Sequence, residues 1–259
     1  MITISECNNS GKVEKTGAGS NGFHIGGIAG AINSNPQTAA DNPEAVLSNC
    51  SNTASVHNNS GNAGGAWTYT GGIIGYQRCK TGEISGCTNS GAVTNSTQST
   101  AGEGGIRIGG IAGGGDQSTF TNCANSGTIT DDSASTHTEL GGICGRGTPG
   151  TKTVATGCEN TGDIVCQTTG TGKKFVGGII ARGTKPTEFT NCVSVSDVKV
   201  QIQDNAGILA GNVAAGGTVT GTSVGGSFNG TALDATNFTG YCFGTASPFK
   251  DTANILFAE

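Results

Sequence analysis

A ten-residue block recurs along this chain, and that recurrence constrains the fold more than any other feature. The copies occupy residues 4–13, 47–56, 84–93, 120–129, 155–164 and 189–198. Each reads as an apolar residue, two small or polar residues, Cys, any residue, Asn, any residue, Gly, any residue, then Val or Ile. The cysteines Cys7, Cys50, Cys87, Cys123, Cys158 and Cys192 are spaced by 43, 37, 36, 35 and 34 residues. A Gly-Gly-Ile block follows each copy, at 26–30, 71–75, 109–113, 141–145 and 177–181, with a degenerate version at 206–211. The units therefore start near 4, 47, 84, 120, 155 and 189, and the array spans 1–217. The sixth unit is eroded, and 218–259 leaves the pattern, as the end of a repeat array is expected to do.

Parity says what the block wants to be. Cys, Asn two residues later and Val or Ile four residues after that share one side of an extended chain. The apolar residue three before Cys has the opposite parity, so a turn is expected between them. The glycine after Asn is read as a bend or a positive φ. One unit cannot bury its own apolar side, but stacked units can, in columns about 4.8 Å apart. The expected fold is all-β, a parallel β-solenoid of about six repeats with a divergent C-terminal cap. A right-handed coil is favoured. The column Asn9, Asn52, Asn89, Asn125 and Asn160 is expected to form a corner ladder, because buried amides must be hydrogen-bonded. A β-propeller is the alternative, but propeller blades usually run longer and carry a repeated aromatic signature. Here the single Trp and 3 Tyr recur at no fixed position.

The composition fits the same picture. There are 47 glycines in 259 residues, and charged residues make up 12%. Helical bundles are disfavoured by so much glycine and β-branching. Disorder is disfavoured by 34% apolar content with a net charge of only −5. The weak acidity and the lack of a basic cluster argue against a nucleic-acid partner. Lys173-Lys174 is the densest basic spot and is read as solvated surface. No apolar run is long enough to span a membrane. Residues 1–10 do not look like a secretion signal.

The chemistry-bearing residues are sparse. Ten cysteines without CxxC spacing, and three histidines (His24, His57 and His137) away from any cysteine pair, suggest no metal site and no cofactor. The column thiols are expected to be free and buried. Cys79, Cys144, Cys166 and Cys242 fall outside the column, and Cys79 with Cys87 is the candidate disulfide. Asp131-Asp132 is the only adjacent acidic pair, and Asp116 follows three glycines without recurrence. Residues 221–225 fit Gly-x-Ser-x-Gly, but no helix start follows, so no catalytic residue is assigned. Two binding candidates remain. Arg107, Arg146 and Arg182 lie near Gly-Gly-Ile blocks and could form a basic stripe for acidic glycans. Trp67, Tyr69 and Tyr76 cluster in unit two, with Trp67 and Tyr69 in parity to make a sugar-contact patch.

The Cys-x-Asn-x-Gly-x-Val block followed by Gly-Gly-Ile-x-Gly resembles the GLUG-type repeats of bacterial surface proteins. It is especially similar to large repeat proteins exported by gut Bacteroidetes. The tail, Val224-Gly225-Gly226-Ser227-Phe228-Asn229-Gly230-Thr231 and then Asn237-Phe238-Thr239-Gly240-Tyr241-Cys242-Phe243-Gly244, resembles the closing segment of such arrays. This chain departs from the pattern at Ala54 and in unit six, where Ser194 and Ser196 replace Asn and Gly. The resemblance implies an exported, often lipid-anchored, adhesin-like protein with other domains before the repeats. It supplies no catalytic residues. The expected function is a non-enzymatic secreted or cell-surface module that binds a glycan or another host or extracellular ligand. A carbohydrate-active solenoid enzyme and a ligand-free spacer are the alternatives.

Overall fold

The computed structural model describes residues 1–17, 22–33, 44–59, 66–96, 105–148, 152–201 and 205–259. Among them the chain is all-β, built from stacked parallel sheets, with one short 3-10 turn at Phe238–Tyr241 and no α-helix. Three sheets run along the stack, and successive units add strands to each in parallel. A propeller would instead close each unit into its own blade.

The apolar residue three before Cys forms one column. Ile4, Leu47, Ile84, Phe120, Ala155 and Phe189 pair in register, and Val219 continues the series. Ala155 lies between Phe120 and Phe189, and all three are fully buried. At a strand separation of about 4.8 Å, a small residue between two rings avoids overpacking.

The turn before Cys is made by one left-handed residue. Glu6 has φ 56, Asn49 53, Gly86 60, Asn122 51, Gly157 60 and Asn191 51, and Gly221 at 58 repeats the corner before Thr222. Asn tolerates this region better than other side chains do. From Asn49 onward Asn and Gly alternate for a steric reason. A Cβ on Gly86 would collide with Asn49 Oδ1, on Gly157 with Asn122 Oδ1, and on Gly221 with Asn191 Oδ1. Each asparagine side chain therefore occupies the space over the glycine of the next coil. The glycine after the column Asn plays a different part from the one expected, since Gly91, Gly127 and Gly162 do not have positive φ. They are small because the coils touch there: a Cβ on Gly127 would collide with Gly91 O, and one on Gly162 with Gly127 O.

The column asparagines bond in series. Asn9 Nδ2 donates to Asn52 Oδ1 at 2.7 Å, Asn52 to Asn89 at 2.7 Å, Asn89 to Asn125 at 2.8 Å and Asn125 to Asn160 at 2.8 Å. The same nitrogens also donate to the carbonyl two residues on, for instance Asn89 to Gly91 at 2.8 Å. The second glycine of each doublet leans on this ladder. A Cβ on Gly72, Gly110 or Gly142 would collide with Asn89, Asn125 or Asn160 and with a carbonyl of the next coil. The two sequence blocks thus recur together because they touch across a narrow coil. In unit six Ser194 replaces the asparagine but still faces a glycine, since a Cβ on Gly178 would sit 1.9 Å from Ser194 Oγ, and Ser194 Oγ donates to Ile208 O at 2.7 Å.

A second, unexpected ladder ends on a carboxylate. Asn58 Nδ2 donates to Asn95 Oδ1 at 2.8 Å and Asn95 to Asp131 Oδ1 at 2.9 Å, while Thr138 Oγ1 donates to Asp131 Oδ2 at 2.8 Å. Asp131 is fully buried, although the sequence places it in a variable stretch. Lys174 is also buried rather than solvated as expected, and Nζ donates to Ser135 O at 2.5 Å.

The thiols stack as free groups. All ten cysteines are free, nine of them buried and Cys7 exposed, so the Cys79–Cys87 pairing is not formed. Several thiols donate to carbonyls of the preceding coil, such as Cys123 Sγ to Ile84 O at 3.3 Å. Burial pushes the Cys166 and Cys242 thiols up to about 12, which slows thiolate chemistry. Native protein should therefore label quickly at Cys7 alone, and denatured protein should titrate ten thiols. A denatured count well below ten would sink the free ladder.

The tail closes the stack. Thr222–Phe228 pairs in parallel with Val193–Val200, then reverses through Asn229 and Gly230 into the antiparallel strand Thr231–Ala232. Ile255–Phe257 returns in parallel to Thr222–Val224, and Phe243 bridges to Ala210. The Gly-x-Ser-x-Gly match lies in this strand. Gly221 is its corner, Thr222 is buried, and no helix follows, so it is not a nucleophile elbow.

Candidate functional site

All six residues singled out for binding converge on one face, beside the Gly-Gly turns. Two columns meet there. The residue two before each doublet gives His24, Tyr69, Arg107, Glu139 and Phe175 in register. The residue three after the Ile of each block gives Ala31, Tyr76, Gly114, Arg146 and Arg182, and Asn212 continues the column in register. The expected single arginine stripe is therefore two columns, with Arg107 in the first and Arg146 and Arg182 in the second. The strands can lie close because a glycine separates them: a Cβ on Gly113 would sit 2.6 Å from Thr70 N.

The centre of the cluster is Glu139, which is fully buried. Its Oε2 accepts from Arg107 Nε at 2.8 Å. Its Oε1 lies 3.0 Å from His137 Nε2, accepts from Arg182 Nη1 at 3.1 Å, and lies 4.0 Å from Arg146 Nη1. Burial pushes this carboxyl up, but the Arg107 charge, the His137 hydrogen bond and the Arg182 charge outweigh it and hold it below its ordinary value. Three guanidinium groups around one carboxylate leave a surplus of about two positive charges, since arginine stays protonated. The side chains of Arg146 and Arg182 are 20% and 28% exposed, so the surplus faces water.

The aromatic residues line this cluster rather than form an open platform. The Arg107 guanidinium lies 3.7 Å from the Trp67 ring centre and 4.8 Å from that of Tyr69, and its Nη1 donates to the Tyr69 hydroxyl. Stacking of this kind holds the cation by the ring quadrupole. Tyr69 is buried and stacks on Tyr76 with ring centres 4.4 Å apart. His137 packs its edge on Trp67 at 4.8 Å, and Arg182 lies over Phe175 at 4.6 Å. Tyr76 donates to Asp116 Oδ2 at 2.6 Å, and Arg78 Nε lies 3.8 Å from the same oxygen. Burial pushes the Asp116 carboxyl and the Tyr76 hydroxyl up.

Reading the sequence for candidate sites missed Glu139, His137 and Phe175. The signal was available: Glu139 stands two before Gly141 as Arg107 stands two before Gly109. Aligning on the doublet puts opposite charges on adjacent coils. Among the described residues no group of three or more His, Cys, Asp or Glu is placed to hold a metal. A shallow groove of about 500 Å³ lies elsewhere, over Val46, Glu83, Thr119 and Val154, and the arginine cluster does not reach it. Among the described residues no helix is long and apolar enough to cross a membrane. Comparison with protein-family models, with curated proteins and with solved structures finds no match for this chain.

Proposed function

We propose that this chain is a non-enzymatic repeat module, secreted or displayed on a cell surface, that binds an acidic glycan on the arginine face. In this reading the stack is a right-handed solenoid of about six repeats closed by the tail, and it serves adhesion. The observation that carries the proposal is the convergence of Arg107, Arg146 and Arg182 on one buried carboxylate, with two guanidinium groups reaching solvent. A patch whose guanidinium groups outnumber its carboxylates attracts anions. A hydrolase or lyase would need an acid or base free to move a proton on its substrate. Glu139 is held beneath three cations, which favours binding over turnover. The resemblance to exported repeat proteins supports the location.

A panel of neutral, carboxylated and sulfated glycans tests this. Acidic glycans should bind, neutral ones should not, and affinity should fall as salt rises. Equal binding of neutral and acidic glycans, or none at all, would overturn the proposal.

A further inference from the structure

The geometry points to Arg146 and Arg182 as a paired subsite for one oxyanion of a sugar, with Asp116 taking a hydroxyl of the same sugar. This rests on the proposed acidic-glycan reading and names the atoms that would do the recognising. Four observations carry it.

First, Arg146 and Arg182 are register partners on adjacent parallel strands. Their backbones are therefore about 4.8 Å apart. Like charges side by side on neighbouring strands repel. An oxyanion between the two guanidinium groups removes that repulsion, and Arg is the side chain suited to grip one by paired N–H bonds.

Second, the protein's own carboxylate does not satisfy the pair. Glu139 gives Oε2 to Arg107 and shares Oε1 between His137 and Arg182, which leaves Arg146 at 4.0 Å. Third, Arg146 Nε is buried and donates to no described group. A buried donor without a partner is costly, and such atoms call for an explanation. The rest of the Arg146 side chain is 20% exposed, so a ligand can approach it from solvent.

Fourth, Asp116 has the complementary deficit. Its Oδ2 accepts from Tyr76, but Oδ1 is buried and accepts from no described group. Asp116 stands two residues after Gly114, and Gly114 is the register partner of Arg146. Residues two apart on a strand share a face. Arg146 and Asp116 thus lie on one face of adjacent coils, each with part of its polar head open to solvent and one polar atom unmet beneath it. A sugar acid or a sugar sulfate offers both counterparts, an anionic group and a neighbouring hydroxyl. A bare inorganic anion offers only the first, and the Asp116 carboxylate repels it. The site should therefore choose a charged sugar over a simple ion.

Calorimetry separates these claims with four probes: an oligogalacturonate, a sulfated oligosaccharide, a neutral galactose oligomer and inorganic sulfate. The wild type should bind at least one charged oligosaccharide more tightly than inorganic sulfate. The Arg146→Gln/Arg182→Gln double variant should lose at least tenfold in that affinity, and the Arg146→Lys/Arg182→Lys variant should keep part of it. Asp116→Asn should weaken the charged sugar severalfold while leaving inorganic sulfate equal or tighter. Melting curves confirm that each variant is folded. If the glutamine pair is folded and binds charged glycans like the wild type, the subsite is wrong and the broader reading stands. If the wild type binds no charged glycan, both fall together. Should Asp116→Asn leave sugar affinity unchanged, the hydroxyl contact is refuted. The oligosaccharide arms show whether the anion is a carboxylate or a sulfate.

Discussion

Gly142→Ala is expected to destabilise the stack by about 3–5 kcal/mol, near the upper end for a single substitution. A Cβ there would collide with Gly178 O and with the Asn160 side chain. Neither neighbour has room to move. Gly178 lies in the backbone of the next coil, whose strands are fixed by parallel pairing on both sides. Asn160 is the last rung of the amide ladder, and moving it breaks the 2.8 Å bond from Asn125. Overpacking a narrow interior costs about 1–3 kcal/mol, and an orphaned buried amide adds a further loss of about 1–3 kcal/mol. Gly240→Ala is the control, because nothing lies within 4 Å of a Cβ there and its φ is not positive. It should shift stability by less than about 0.5 kcal/mol. Urea unfolding of the two variants measures this. Equal midpoints for Gly142→Ala and Gly240→Ala would refute the idea that the two motif blocks press on each other.

The repeat made the broad architecture legible because stacking turns spacing into contact. Residues at one position of the block meet at one place in space, so Ile4, Leu47 and Ile84 could be read as neighbours before their strands were placed. The asparagine column was legible for the same reason. The φ at Gly127 was not, because glycine answers both to positive φ and to close approach, and only the coil geometry separates them. The burial of Asp131 was not legible because its partners, Asn58 and Asn95, stand two residues after the recurring Val or Ile, beyond the ten-residue block. The arginine cluster was half legible. The residue types stood out, but alignment on cysteine mixes two columns that alignment on the glycine doublet keeps apart. Glu139 stayed hidden because a single acid in a polar strand carries no signal until the arginine on the preceding coil is seen beside it.

Glu139→Gln is expected to be the other large loss, and its pH dependence distinguishes an electrostatic role from a packing role. The carboxylate is the common partner of Arg107, Arg146 and Arg182, and glutamine keeps its shape while removing its charge. Breaking a buried ion pair by removing one partner costs about 3–5 kcal/mol, because the remaining charge stays desolvated. Arg107 is the most exposed to this penalty, since its side chain is 4% accessible and Trp67 covers the guanidinium. The sign with pH follows from the depressed carboxyl. In the folded chain Glu139 titrates below its ordinary value of 4.5. Its contribution is therefore fully present above the unfolded value and is lost as pH falls through the folded one. At pH 7 the wild type should melt well above Glu139→Gln, and the gap should narrow as pH falls from about 5 toward 3. Arg107→Met in the glutamine background should restore part of the loss at pH 7, since it removes the charge that lacks a partner and keeps the contact with Trp67. A gap that stays constant from pH 7 to pH 3 would show that Glu139 acts through shape alone, and the charge argument for the whole face would fail with it.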